Sequence, residues 1–147
     1  MTTRSKARAA ARLAAVQALY QHEMEKTPQA RLLDEFHMHR LGAEIDDDQY
    51  AEAETAFFDD VVKGVVARRD EIDGLISARL AKGWALPRLD KTMAQILRAG
   101  TYELLARPDV PTGAVITEYL DVAHAFFEPS EARFVNGLLD SIAKDVR

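Results

Sequence analysis

The sequence has no cysteine, so no disulfide framework holds it together and no thiolate can serve as a nucleophile or metal ligand. No apolar run approaches the ~20 residues needed to cross a bilayer, and residues 1–12 carry no apolar segment of signal-peptide type. No stretch alternates apolar and polar residues between turn signals, which argues against strands. Internal repeats and low-complexity linkers are missing too. So are the glycine-rich phosphate loop, the dinucleotide-binding turn and the nucleophile elbow. These absences exclude the commonest enzyme classes and leave a soluble, cytoplasmic, helical protein as the expectation.

What is present suits a globular body: 48% hydrophobic and 29% charged residues in a chain of 147, the usual size of one domain. The net charge of −5 argues against a polyanionic ligand until its distribution is considered. Residues 1–22 hold Arg4, Lys6, Arg8 and Arg12 and no acid, giving +4, so the remainder carries −9. Residues 44–60 hold eight acids and no lysine or arginine. A basic arm on an acidic body suits a polyanion, although a solvated helix end has the same composition.

The periodicity predicts about seven helices. The first runs from Ser5, as its cap, to Met24, with Ala9, Leu13, Val16, Tyr20 and Met24 as its apolar stripe. Thr27 and Pro28 end it. A short helix over 29–41 stops near Gly42, and an acidic loop follows over 43–49. A long helix from Asp48 to about Arg69 contains Gly64, which close helix contact would explain. Another covers 70–82 and breaks at Gly83. Later segments cover Pro87–Ala106, the stretch from Pro111 to Phe127, and a last helix capped by Ser130 and buried through Val135, Leu138, Leu139, Ile142 and Val146, with Gly137 admitting a close neighbour.

His37 and His39 stand two apart and face different ways on a helix, which disfavours shared metal ligation. His22 and His124 read as surface or boundary residues. The Asp46–Asp48 run lacks the spaced ligands of a calcium loop. No metal or cofactor is expected. Arg4, Arg8 and Arg12 recur at i, i+4 and i+8, which predicts an exposed strip about 12 Å long at ~1.5 Å per residue. Guanidinium groups bond phosphate oxygens bidentately and stack on bases, and single-stranded RNA exposes both. On such a strip each arginine would be replaceable with little loss of stability. Tyr20, Trp84 and Tyr102 could stack on bases, but core or boundary packing is the default for aromatics near apolar stripes.

Three ordered stretches resemble the family of the bacterial antitermination protein N-utilisation substance B. They are Ala11 and Arg12 followed by Ala15 to Tyr20; Ile96 to Arg98 with Tyr102 to Leu104 and Pro108 to Pro111; and Phe134 to Asp140. Trp84 with Arg88, and Val62 to Val65 around Gly64, fit as well. The resemblance covers essentially the whole chain. It implies an all-α fold of two small helical bundles packed crosswise into one compact body, with helical subdomains over about 1–82 and 83–147. It implies binding of single-stranded box A RNA in nascent ribosomal RNA transcripts. The implied partners are the small-subunit ribosomal protein that acts as N-utilisation substance E and the RNA polymerase antitermination complex. Arg8 and Arg12 match the family's RNA arm best; Arg4 and Lys6 follow from charge. Arg133 is a further RNA candidate, and Tyr20 a partner-surface candidate. The arm departs from many members by alternating basic residues with alanine. Thr117, Glu118 and Tyr119 stand where asparagine, glutamate and alanine are frequent, and His124 where lysine is common. Ribosomal-RNA cytosine methyltransferases carry the same helical fold, but they need a cysteine nucleophile and a cofactor-binding domain that this sequence lacks. The alternative is a helical protein–protein adaptor without direct RNA binding.

Overall fold

The structure, a computed structural model, describes residues 3–39 and 48–147. Among them are seven α-helices and no strand. They are α1 (Thr3–Glu25), α2 (Gln29–His39), α3 (Asp48–Ala67), α4 (Arg69–Arg79), α5 (Lys91–Ala106), α6 (Thr112–His124) and α7 (Pro129–Val146), with a 3-10 turn at Leu86–Arg88. The all-α expectation holds. The stop at Gly42 and the acidic loop up to Asp47 lie outside the described residues. No helix among those described is long and apolar enough to cross a membrane. The chain divides into two compact units between Lys63 and Gly64, inside α3.

In the first unit, α1 begins before Ser5, which therefore lies within the helix instead of capping it. Its buried face is made of Ala7, Ala11, Ala14, Ala15 and Ala18, with Val16 and Leu19. The expected stripe of larger residues is wrong apart from Val16: Tyr20 and Met24 are 40% and 48% exposed. Spacings of three and four among alanines make a helix face as well as spacings among larger residues do, and small side chains let a neighbouring backbone come close. The helix ends at Lys26, whose φ of 59° takes the left-handed conformation common after a helix C-terminus. Gln21 Nε2 donates to Glu35 Oε2 of α2 at 3.3 Å. Leu32, Leu33 and Phe36 of α2 are buried, as are Phe57, Phe58, Val61 and Val62 of α3. The rings of Phe36 and Phe58 stack at 5.4 Å.

The second unit is built around α5. Every residue from Met93 to Leu104 is buried, because α4, α6 and α7 pack against it on all sides. The helix starts later than expected. Pro87 sits in the 3-10 turn, and Asp90 caps α5 by accepting from the backbone N–H of Thr92 at 2.8 Å and of Met93 at 3.2 Å. Arg98, 5% exposed, donates from Nε to Asp73 Oδ1 at 2.8 Å and from Nη2 to Asp73 Oδ2 at 3.2 Å, tying α5 to α4. Gly64 allows the close approach expected of it: an added Cβ would lie 2.1 Å from Tyr102 Cζ. Gly137 does not, since nothing lies within 4 Å of the same position there.

Pro129 opens α7 at the first helical position, where its missing N–H is no loss. Glu128, and not Ser130, is the residue before it, and no side chain caps this end. The α7 stripe of Val135, Leu138, Leu139 and Ile142 is buried as its spacing predicts, with Ala132 and Ala143 added, but Val146, expected in the same stripe, is only half-buried in the last turn. Arg147 folds back from α7. Its guanidinium donates to the carbonyl oxygens of Glu103, Leu104, Arg107 and Val110 at 2.7–3.2 Å and to Thr112 Oγ1 at 3.1 Å.

Thr101 is fully buried and its hydroxyl has no hydrogen-bond partner among the described residues. A buried unsatisfied polar group costs ~1–3 kcal/mol. Thr101→Val is therefore expected to raise stability by up to about 1 kcal/mol, read from urea unfolding. A loss of that size would mean that the hydroxyl is satisfied.

Candidate nucleic-acid interface

The basic arm is not the uniform strip that its spacing predicts. Lys6 is exposed and Arg8 half-buried, but Arg12 is only 3% exposed. Phe57 of α3, itself buried, lies against it. The Arg12 guanidinium carbon lies 4.9 Å from its ring centroid and that of Arg8 lies 5.0 Å away. Residues 8 and 12 are one helical turn apart, so both guanidinium groups can reach the same ring. The negative face of an aromatic ring attracts a cation, most strongly where water is excluded. Arg12 is thus a buried structural cation, and Arg8 keeps part of its surface in water. Arg4 occupies the first turn of α1. Tyr20 lies farther along α1 and is exposed.

The second unit holds a cleft of about 480 Å³ between the segment after α4 and the start of α7. Leu89 and Met93 are buried at its floor, and Trp84, Arg88, Glu131 and Phe134 line it. Gly83, at φ +90°, gives the chain a left-handed step that few other residues take without strain, and Trp84 follows it. Trp84 is 60% exposed and Phe134 39% exposed. Trp84 therefore departs from the packing role that the sequence favours, Tyr20 lies at the boundary and not in the core, and Tyr102 is buried as expected. Ser130, Glu131 and Phe134 reach the cleft together because positions three and four apart share a helix face. Arg133 is exposed on α7 but does not line the cleft.

Charge pairing separates candidates from scaffold. Arg31 pairs with Glu35, Arg79 with Asp145, Arg98 with Asp73 and Arg107 with Asp109. Arg68 donates to Glu71 at 2.8 Å, and this exposed pair holds the Glu71 carboxyl below, and the Arg68 guanidinium above, their ordinary values. Arg88 and Arg133 have no acidic partner among the described residues, so their charge is available to a ligand. The cleft residues Trp84 and Arg88 were not singled out by periodicity. The available signal was local: a lone tryptophan between Gly83 and Pro87.

His37 Nε2 lies 2.6 Å from Asp59 Oδ1, and its ring meets Phe58 edge-on at 6.0 Å. This links α2 to α3. Among the described residues no group of three or more His, Cys, Asp or Glu is placed to hold a metal ion.

Known proteins bear closely on this arrangement. The chain is 80% identical over 142 residues to the transcription antitermination protein NusB of Novosphingobium aromaticivorans, covering 97% of this chain and 96% of that protein. Its fold matches the solved structure of T. maritima NusB with a TM-score of 0.78 and 32% identity, covering 99% of this chain and 92% of that one. A second match, with TM-score 0.80, 27% identity and 95% of each chain covered, comes from a crystal structure of a plectonemic RNA supercoil. Residues 9–144 match the model of the NusB family, and the chain belongs to that family of transcription antitermination proteins.

Proposed function

We propose that the protein binds single-stranded box A RNA of nascent ribosomal transcripts. It does so together with the small-subunit ribosomal protein that acts as N-utilisation substance E, and so helps RNA polymerase resist termination in the cytoplasm. It acts without catalysis or cofactor. The observation that carries this reading is the half-exposed Arg8, whose guanidinium is already set against Phe57 beside the exposed Lys6. A cation held in place at a helix surface is suited to a phosphate. Arg4, Lys6 and Arg8 contact the RNA backbone, and Arg12 supports them from beneath. In the second unit, Arg133 and Arg88 supply further charge, and the exposed faces of Trp84 and Phe134 offer stacking surfaces of the kind single-stranded bases use. Tyr20 serves the protein partner. The RNA supercoil structure that holds a chain of this fold supports the choice of RNA as ligand.

RNA affinity is expected to rise when the ribosomal partner is added, since a partner that adds contacts or fixes the arm lowers the ordering cost. By reciprocity, RNA tightens the protein pair by the same factor. Gel shifts on box A RNA with and without the partner test this, and equal affinities would refute it. Partner binding without affinity for any RNA would identify the chain as an adaptor instead.

The arm is expected to act through phosphates. Neutralising three of them gives a slope of log K on log salt near −2, at ~0.7 per phosphate on single strands. Arg8→Ala and Arg133→Ala should each flatten the slope by about 0.7 and weaken box A and scrambled RNA alike. An unchanged slope in either variant removes that residue from the interface.

A further inference from the structure

We propose that Phe57 is a positioning residue for RNA binding. Its ring holds the Arg8 guanidinium in a fixed direction before RNA arrives, and Arg12 locks that ring from the buried side. The inference rests on the RNA-binding reading above and adds a residue that touches no RNA.

The geometry is specific. Two guanidinium carbons lie 5.0 and 4.9 Å from one ring centroid. The ring is 3% exposed and the Arg12 side 3% exposed, so neither can meet a ligand. Arg8 is the member of the trio that reaches water. Two like charges one helical turn apart repel, and the ring's negative face offsets this. An arginine on a bare helix samples many rotamers and loses that freedom when it grips a phosphate. Arg8 has lost much of it already, because its guanidinium lies over a buried aromatic ring carried by α3. Phe57 also fills the core, but core filling alone requires only an apolar side chain of similar size. A leucine would satisfy that need and not the other.

The test uses the full chain and fluorescence anisotropy with labelled box A RNA and a scrambled RNA of the same length. Circular dichroism confirms that each variant is folded at the assay temperature. Phe57→Leu removes the ring, and Phe57→Tyr keeps it. The expected result is a 2- to 5-fold loss of affinity for both RNAs in Phe57→Leu, roughly the worth of a partly exposed cation–ring contact. Phe57→Tyr should stay within about twofold of the parent, where ring and contact are retained. In the Arg8→Ala background, Phe57→Leu should cause no further loss, because the residue acts through Arg8. Independently of RNA, the Arg8 side-chain protons should show an upfield ring-current shift that Phe57→Leu abolishes. If Phe57→Leu does not fold, Phe57→Met takes its place under the same criteria.

Equal losses from Phe57→Leu with and without Arg8 would make Phe57 a core residue only and overturn the proposal. So would unchanged affinity in Phe57→Leu, a Phe57→Tyr as weak as Phe57→Leu, or no ring-current shift on Arg8. Failure of the parent to bind RNA would sink the RNA-binding reading and the proposal with it. A parent that binds RNA but is indifferent to Arg8→Ala would sink the proposal and leave RNA binding standing through other residues.

Discussion

Gly64→Ala is expected to destabilise the second unit by about 2–3 kcal/mol, in the range of overpacked cores. Propensity alone points the other way, because Ala in a helix interior is favoured over Gly by ~1 kcal/mol. The steric term decides the sign. A Cβ at residue 64 would sit 2.1 Å from Tyr102 Cζ, 2.2 Å from Cε1 and 2.6 Å from the hydroxyl oxygen. Optimal carbon–carbon separation is ~3.5–4.0 Å, so the phenol ring must move by more than an ångström in a buried site. It is rigid, and α5 is buried on every side. Removing the ring should remove the conflict. Tyr102→Leu opens a cavity and costs stability by itself, but in the double variant the two costs should fall short of their sum by more than about 1 kcal/mol, as for residues in direct contact. Urea unfolding of the two single variants and the double variant measures this. A Gly64→Ala protein more stable than the parent would show that α3 and α5 have room between them.

Arg12→Ala is expected to cost about 3–4 kcal/mol. This reverses what the i, i+4, i+8 spacing predicts, namely a surface arginine that can be removed for free. The desolvated cation–ring contact contributes ~2 kcal/mol, and the buried methylene stem adds to it at ~0.8 kcal/mol per CH₂. Arg12→Met keeps most of the stem and loses the charge, so it should fall between Arg12→Ala and the parent. The practical consequence concerns RNA assays. A weakened Arg12→Ala protein would report a loosened α1, not a lost phosphate contact, and its salt slope should match the parent's. Parent-like unfolding together with a slope flattened by about 0.7 would restore Arg12 as a direct contact.

Much of the fold was legible, and the reasons for the failures are physical. Proline and glycine mark the helix breaks in the second half closely, and the α7 stripe follows the 3.6-residue period. Gly64 announced a close approach, which Tyr102 supplies. The α1 face is hidden from periodicity because alanine is a weak hydropathy signal beside Tyr20 and Met24, yet it is alanine that packs. The burial of Arg12 was invisible for a different reason. Local spacing gives a residue's direction on its own helix but not what stands opposite, and Phe57 comes from α3. Trp84 lies at the end of a turn, which has no period to read. It follows Gly83, whose positive φ is a backbone property with only a compositional trace in the sequence. For the candidate interface, residue types were therefore legible in the sequence, and which of them face water was not.

The Arg147 guanidinium bonds the last carbonyls of α5, the connector at Val110 and Thr112 at the start of α6, from a position just beyond α7. Those partners stand 35–44 residues away along the chain. Helix ends ordinarily fray one by one, each opening with its own small free energy. Here three ends share a single cation. Releasing α7 withdraws the guanidinium from the α5 carbonyls, from Val110 and from Thr112 at once, so fraying becomes a joint event. The second unit thereby loses its low-energy local openings at this corner, and exchange of the α6 N-terminal amides is governed by the release of α7.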